Sequence, residues 1–118
     1  ESLLLNDETA QIIERPHLAR IRRIDKNVCL NLKKLYGYRC QICGQLITLP
    51  YGGQYHVIDA HHIDHFSTSL NNNFSNIVIL CPNHHRIIHA YNPHFTPRTK
   101  EFVYANGYRD KLSLNLHL

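Results

Sequence analysis

The sequence predicts an α+β fold, and three observations support this class. Apolar residues recur at helical spacing over 27–36, a stretch that begins with a capping Asn and is followed by a Gly. Two short apolar runs, 56–60 and 76–80, have the length of strands and are joined by a loop rich in Asn and Ser. A Pro that suits a first helical turn then opens a second predicted helix, 82–90. The predicted core is therefore strand, loop, strand, helix.

The 118 residues amount to one domain, with different predicted structure at its two ends. We divide the chain into a basic helical arm (1–36), a core (37–91) and a C-terminal β-hairpin (98–118). The arm is expected to be partly helical, and the Asn-Gly pair at 106–107 predicts a two-residue hairpin turn. The sequence begins at Glu1 and contains no methionine, so we expect a piece of a longer protein, with a further domain or a homodimer partner.

Two cysteine motifs bracket the core. Cys40 and Cys43 form a CxxC pair, and Cys81 and His84 form a CxxH pair later in the chain. This spacing is typical of metal ligands rather than of a disulfide, and three thiolates with one imidazole have the composition of a structural zinc site. We predict a Zn²⁺ staple at these residues. The remaining thiol, Cys29, is expected to pack as a small hydrophobic side chain.

Six of the ten histidines lie between Asp59 and Ala90. His85 and His89 are four residues apart and share one face of the predicted helix, whereas His84 is displaced by about 100° of helical rotation. One ion cannot easily use all three. We therefore assign His84 to the zinc site and predict a second, open metal site, whose ligands are His61, His85 and His89.

A metal ion beside a further imidazole is suited to phosphodiester hydrolysis. The ion stabilises charge on the phosphate and leaving oxygens, while a histidine takes the proton from the attacking water. His62 is the candidate for that base, and the amide of Asn76 can hydrogen-bond backbone on both sides and position the following loop. Because neighbours on a regular strand point to opposite faces, we expect the strand to end or bend near His62, before Asp64.

These residues together resemble the HNH endonuclease family, over roughly Tyr36 to Tyr91. The resemblance is carried by the frame CQICG and LCPNHH and by five residues within it, His61, His62, Asn76, His85 and His89. The cysteine frame is similar to that of restriction-type and phage nucleases, and the spacing of the five residues is similar to that of the colicin nucleases. The resemblance implies a ββα-metal core, also called the His-Me finger, and hydrolysis of DNA to 5′-phosphate and 3′-hydroxyl ends.

The family's roles can be carried over to matching positions. The resemblance implies His62 as general base, Asn76 as the loop-positioning residue and a divalent ion, Mg²⁺, Mn²⁺, Ni²⁺ or Zn²⁺, on His61, His85 and His89. Many members have a proline where this chain has His65, and a glycine pair where it has LNNN. The first metal ligand of the family is often Asp, so Asp59, two residues before His61 on the same strand face, competes for that position.

The basic arm suits a nucleic-acid partner. The formal net charge is +4, and eight of the thirteen Lys and Arg residues lie between Arg15 and Arg39. Such a run is ordinarily a solvated face, but next to a phosphodiester-cleaving site it can bind the DNA backbone. We expect double-stranded DNA to contact Arg20, Arg22, Arg23, Lys26, Lys33, Lys34 and Arg86.

Parts of the sequence also suit two other functions. The main alternative is a catalytically silent, zinc-stapled module that binds nucleic acid, although such a module has no need for His62. A zinc peptidase would need a glutamate base near the metal, and the histidine-bearing helix has none. No apolar run approaches the length of a membrane span and no signal-peptide pattern is visible, so we expect a soluble protein. Free thiols suit the cytoplasm, and the resemblance implies a restriction or defence system.

Overall fold

The computed structural model describes residues 11–13, 21–23, 26–49, 55–64, 69 and 71–118. These residues form helices and separate antiparallel sheets, which confirms the α+β class. No helix in this described part is long and apolar enough to span a bilayer. The α-helices and strands are β1 (Gln11–Ile13), β2 (Ile21–Arg23), α1 (Lys26–Leu35), β3 (Thr48–Leu49), β4 (Tyr55–His56), β5 (Asp59–His62), β6 (Ile77–Leu80), α2 (Pro82–Tyr91), β7 (His94–Thr96), β8 (Glu101–Val103) and β9 (Arg109–Lys111), and a short 3-10 helix, Phe74–Asn76, precedes β6.

The unit that positions the candidate site is the antiparallel pair β5–β6 followed by α2. Asp59 lies opposite Leu80 and His62 opposite Ile77, so the two strands are in register over their whole length. All four residues of β6 are buried, which explains why its sequence is continuously apolar. α2 has Pro82 in its first turn and is capped after Tyr91 by Asn92, which adopts a left-handed conformation with φ 45°. The predicted order of strand, loop, strand and helix is observed, but the first strand is Asp59–His62 rather than 56–60, because His56 belongs to the separate strand β4.

The buried core joins this unit to α1 and to the C-terminal sheet. α1 contributes Val28 and Leu32, which are one turn apart and fully buried. α2 contributes Ile88, and the C-terminal strands contribute Phe95 and Phe102, whose ring centroids are 4.9 Å apart. The bounds of α1 differ from the predicted helix by one residue at each end. One core therefore supports β5, β6 and α2 from several sides.

The C-terminal region is a three-stranded sheet, β7–β8–β9, rather than a simple hairpin. The predicted two-residue turn is wrong: Val103 pairs with Arg109, and the N–H of Gly107 donates to the carbonyl of Tyr104 at 2.9 Å. Only Gly107 in this loop has a positive φ, 90°, whereas the predicted turn needs a positive φ at both central residues. The result is a three-residue loop in which Gly107 takes the left-handed position.

The described part of the segment before α1 is extended, so the helix expected there is wrong for those residues. β1 and β2 pair antiparallel, with Ile12 opposite Arg22 and Ile13 opposite Ile21. Isoleucine is β-branched and favours an extended backbone, and the helical spacing of this segment was loose. The other residues of the predicted arm, including Arg20, lie outside the described residues.

Candidate metal sites and active site

Three cysteines and one histidine converge near the first turn of α2, and we call them the cysteine cluster. Cys40 and Cys43 come from a turn that follows α1, Cys81 precedes α2 and His84 lies in its first turn. The Sγ atoms and one ring nitrogen of these residues all lie within 4.8 Å of one another. The CxxC and CxxH motifs thus meet at one place, as their spacing predicts, and this cluster could hold a structural metal ion.

The distances within the cysteine cluster agree with tetrahedral coordination. The Sγ atoms of Cys43 and Cys81 are 3.9 Å apart, and His84 Nδ1 lies 3.8 Å from Cys40 Sγ and 3.3 Å from Cys81 Sγ. Bonds of about 2.3 Å to sulfur and about 2.0 Å to nitrogen, at tetrahedral angles, give separations of about 3.8 Å and about 3.5 Å. The donor atoms are therefore spaced for one small cation.

The turn that carries Cys40 and Cys43 is closed by its own backbone. The N–H of Gly44 donates to the carbonyl of Cys40 at 2.8 Å, and Gly44 has φ 73°, which an L side chain rarely adopts. Cys43 is exposed as a residue, but desolvation of its sulfur raises its pKa to about 11, and the neighbouring sulfurs of Cys40 and Cys81 add to the rise. A bound cation would offset that effect, because it stabilises the thiolate that the surroundings disfavour.

Gln41 fixes this turn to β6, a role that the sequence did not reveal. Its side chain is fully buried, and its Oε1 accepts the backbone N–H of Ile79 at 2.8 Å. The backbone N–H of Gln41 donates to the carbonyl of Ile79, also at 2.8 Å. Its Nε2 donates to the hydroxyl of Tyr36 and to the carbonyl of Leu114, both at 3.1 Å. Gln41 thus pairs with β6 as a neighbouring strand would, which holds the CxxC turn near Cys81.

A second group of potential ligands, the histidine cluster, consists of His61, His85 and His89. One nitrogen of each lies within 4.8 Å of the others. The ring centroids are 5.3 Å apart for His61 and His85, 5.0 Å for His61 and His89, and 4.7 Å for His85 and His89. His61 is buried on β5, while the other two lie one turn apart on α2. The structure brings together the three histidines that were predicted to form the open site, two from the helix and His61 from the strand.

Asp59 lies behind the histidine cluster rather than within it. Its Oδ2 is 2.9 Å from Nδ1 of His85, while Nε2 of His85 is 3.0 Å from Nε2 of His89. The carboxylate therefore contacts the ring nitrogen of His85 that faces away from His89. Asp59 is not one of the residues whose ligand atoms converge, so the structure does not place it as the competing ligand.

His62 lies outside the histidine cluster. β5 remains paired through His62, so its side chain points to the face opposite His61, and the chain bends afterwards at Ile63 and Asp64. Nε2 of His62 is 2.6 Å from Oδ1 of Asn72, which is fully buried. Because an amide oxygen only accepts, this contact makes Nε2 the donor, and the neutral imidazole then carries its lone pair on Nδ1. Sequence reasoning did not identify Asn72.

Asn76 holds the loop between His62 and β6 at both ends. Its Oδ1 accepts the N–H of Asp64 at 2.8 Å, and its Nδ2 donates to the carbonyls of Asp64 at 3.0 Å and of Asn71 at 2.8 Å. Asn76 is buried, which limits competition from water. These are the contacts that a loop-positioning residue requires, and its part in catalysis stays a prediction.

The basic candidates are only partly described. Lys34 is exposed and Lys33 half-buried in the last turn of α1, and Arg86 is exposed on α2. Arg22 and Arg23 form part of β2, and Lys26 begins α1. The remaining candidate, Arg20, lies outside the described residues, as does His65. Their contacts with DNA stay predictions.

Comparison with known proteins gives no relative: no family model, no curated protein and no solved structure matches this chain. The resemblance to the HNH endonucleases therefore depends on the motif residues alone.

Proposed function

We propose that this chain is a metal-dependent endonuclease of the HNH type, which hydrolyses phosphodiester bonds of double-stranded DNA. The observation that carries the proposal is the histidine cluster, three imidazoles that converge from β5 and α2 beside the strand position of His62. The cysteine cluster is separate from it, so one metal site could stabilise the fold while the other takes part in hydrolysis, as expected of a zinc-stapled nuclease. The setting suggested by the resemblance is restriction or defence, in the cytoplasm.

The cysteine cluster fits a structural Zn²⁺. Its four donors fill a tetrahedral shell and leave no position for substrate, as in zinc sites that stabilise folds. This ion would join the turn after α1 to the start of α2, two segments that are far apart in sequence. Its proposed role is therefore stability rather than chemistry.

The histidine cluster fits a divalent ion with open positions. His61, His85 and His89 would hold it, and three protein ligands leave room for phosphate oxygens. When bound, such an ion supplies stabilisation of the negative charge that develops on the phosphate and leaving oxygens. Mg²⁺, Mn²⁺, Ni²⁺ and Zn²⁺ are the candidates, and three imidazoles favour a transition metal among them.

His62 is the proposed general base. Asn72 holds Nε2 as the donor, so Nδ1 can take the proton from an attacking water. The water oxygen bonds to phosphorus, the bond from phosphorus to the 3′ oxygen breaks, and the departing oxygen takes up a proton from solvent. His61 and His62 are the last residues of β5, so a phosphodiester across the end of this strand could meet both faces. The products would be 5′-phosphate and 3′-hydroxyl ends.

The test is cleavage of supercoiled plasmid by zinc-loaded protein, in EDTA and with each candidate metal in turn. We expect wild type to nick or linearise the plasmid only with added metal, and His62→Ala to be inactive while keeping its zinc. His56→Ala is the matched control, because His56 contacts Thr48 and Tyr38 rather than either cluster.

A different result would favour the alternative function. If wild type binds the plasmid but leaves it intact with every metal, the chain is a zinc-stapled nucleic-acid-binding module. If His62→Ala cuts as fast as wild type, His62 is not the base.

A further inference from the structure

Asp59 and His85 are joined by a hydrogen bond that no part of the proposed reaction yet uses. Asp59 stands two residues before His61 on β5, so both side chains lie on one face of the strand. Its Oδ2 lies 2.9 Å from Nδ1 of His85, across the gap between β5 and α2. His85 is therefore held between a carboxylate on one side and His89 on the other.

The contact determines which nitrogen of His85 can bind a metal ion. A carboxylate accepts hydrogen bonds, so the ring proton of His85 belongs on Nδ1 and the lone pair on Nε2. Nε2 is the nitrogen that lies 3.0 Å from His89. The lone pair therefore points into the histidine cluster, where an ion would need it.

We propose that Asp59 is a positioning residue, which fixes the tautomer and ring orientation of His85 so that its Nε2 binds the divalent ion of the histidine cluster. The inference rests on the proposed metal site. A carboxylate that accepts the second N–H of a metal-binding histidine makes that histidine a better ligand, and its loss typically costs 10- to 100-fold in metal affinity. The negative charge of the Asp59 carboxylate would also raise the affinity for a cation bound on the other side of the His85 ring.

The geometry separates this role from that of a direct ligand. Nδ1 and Nε2 lie on different sides of the imidazole, and Asp59 reaches only the first. The side chains of His85 and Asp59 are 26% and 39% exposed, so replacing Asp59 leaves no buried cavity and should not prevent folding.

The experiment measures binding of Co²⁺ to zinc-loaded protein, with one zinc per chain established beforehand. Co²⁺ titrations followed by calorimetry and visible absorbance would compare wild type, Asp59→Ala and Asp59→Asn. We expect Asp59→Ala to bind Co²⁺ roughly 10- to 100-fold more weakly. Asp59→Asn should lose less, since its amide oxygen still accepts from Nδ1. Glu101→Gln is the matched control, because Glu101 pairs with Arg109 at 2.9 Å on the C-terminal sheet, and its Co²⁺ affinity should be unchanged.

The shape of the Co²⁺ spectrum at saturation distinguishes the two roles of Asp59. An unchanged spectrum with weaker affinity supports positioning, whereas an altered spectrum would show that a ligand has been lost and would overturn the proposal. Unchanged affinity in both variants would overturn it as well. If Asp59→Ala fails to retain zinc, the Co²⁺ affinity and spectrum of Asp59→Asn decide between the two roles.

The failure of the proposed function would be seen separately. If wild type takes up no second ion, the open metal site and the role of Asp59 are both refuted. If the ion binds as expected and the variants weaken it, but the plasmid stays intact, the positioning role stands and the endonuclease proposal falls.

Discussion

His117 illustrates how single residues are held by complementary donors and acceptors. Its Nε2 donates to the carbonyl of Ile77 at 2.7 Å, so its Nδ1 accepts from the hydroxyl of Tyr36. The Tyr36 oxygen in turn accepts from Gln41 Nε2 at 3.1 Å and from the N–H of Leu116 at 2.8 Å. Burial lowers the pKa of His117 and raises that of Tyr36. The arrangement favours a neutral imidazole.

Stability should therefore fall as His117 becomes protonated. The pKa of His117 is below its ordinary 6.5 in the folded chain, so the unfolded chain takes up the proton first as the pH falls. The contribution of neutral His117 to the free energy of unfolding is fully present above about pH 6.5, and it is lost between that value and the lower pKa of the folded chain. Urea unfolding of zinc-loaded protein between about pH 8 and about pH 5 would measure it. His117→Gln should show a weaker pH dependence, and an identical dependence would contradict this assignment.

Asn72 should affect the rate of DNA cleavage through its contact with His62. Asn72→Ala removes the acceptor for Nε2, so the imidazole loses its fixed tautomer and orientation. We expect kcat for plasmid nicking to fall about tenfold or more, within the roughly 10²- to 10⁴-fold that a general base contributes. Single-turnover nicking measures this rate, with Co²⁺ affinity as a readout that should stay unchanged. A variant that folds, binds metal and cuts at the wild-type rate would show that Asn72 has no such role.

At the scale of secondary structure, α2 carries ligands of both clusters on different faces. His84 faces the cysteine cluster, while His85 and His89 face the histidine cluster. β6 leads directly into α2 through Cys81, and Gln41 binds the backbone of β6 at Ile79. The placement of both sites therefore depends on how firmly β6 and the CxxC turn are joined.

Gln41→Ala should weaken that connection. The substitution leaves the buried N–H of Ile79 without the side-chain oxygen that it donates to, and an unsatisfied buried group costs about 1–3 kcal/mol. Urea unfolding of zinc-loaded protein would measure the loss in free energy of unfolding. Gln45→Ala, at an exposed position after the same turn, is the control and should change it little. Equal stabilities for the two variants would refute this role.

The elements that sequence analysis predicted are those with local signals. The bounds of α1, β6 and α2 follow from spacing, a proline and a continuous apolar run. β7 was missed because it has only three residues between two prolines, and it is extended because Phe95 packs on Phe102. The turn at Gly107 was misassigned because the local dipeptide does not determine which residues adopt a positive φ.

The candidate site likewise combines features set by local spacing with contacts that depend on packing. His84, His85 and His89 could be divided between two clusters because their spacing along one helix fixes their directions. The partners Asn72, Gln41 and Asp59 could not be assigned, since their contacts join residues 10, 38 and 26 positions apart. Such contacts depend on how the elements pack, which a single sequence does not reveal.

At the scale of the whole molecule, the two clusters should be separable by substitution. Cys81→Ser should lose the proposed zinc and unfold the domain, because structural zinc binding at about 10–16 kcal/mol matches or exceeds the stability of a typical domain. His89→Ala should keep the zinc and the fold but lose the second ion, since His89 is exposed and outside the cysteine cluster. Circular dichroism with metal analysis would compare them. A folded, zinc-free Cys81→Ser variant would contradict the structural role.

The cysteine cluster has one side open to solvent. Cys43 is exposed, whereas Cys40 and Cys81 are fully buried. A chelator or a competing soft metal ion replaces a bound ion by ligand exchange, which begins where an incoming group can approach. Exchange at this cluster would therefore start at Cys43, so the lifetime of a bound ion, as distinct from its affinity, would depend on this surface thiol.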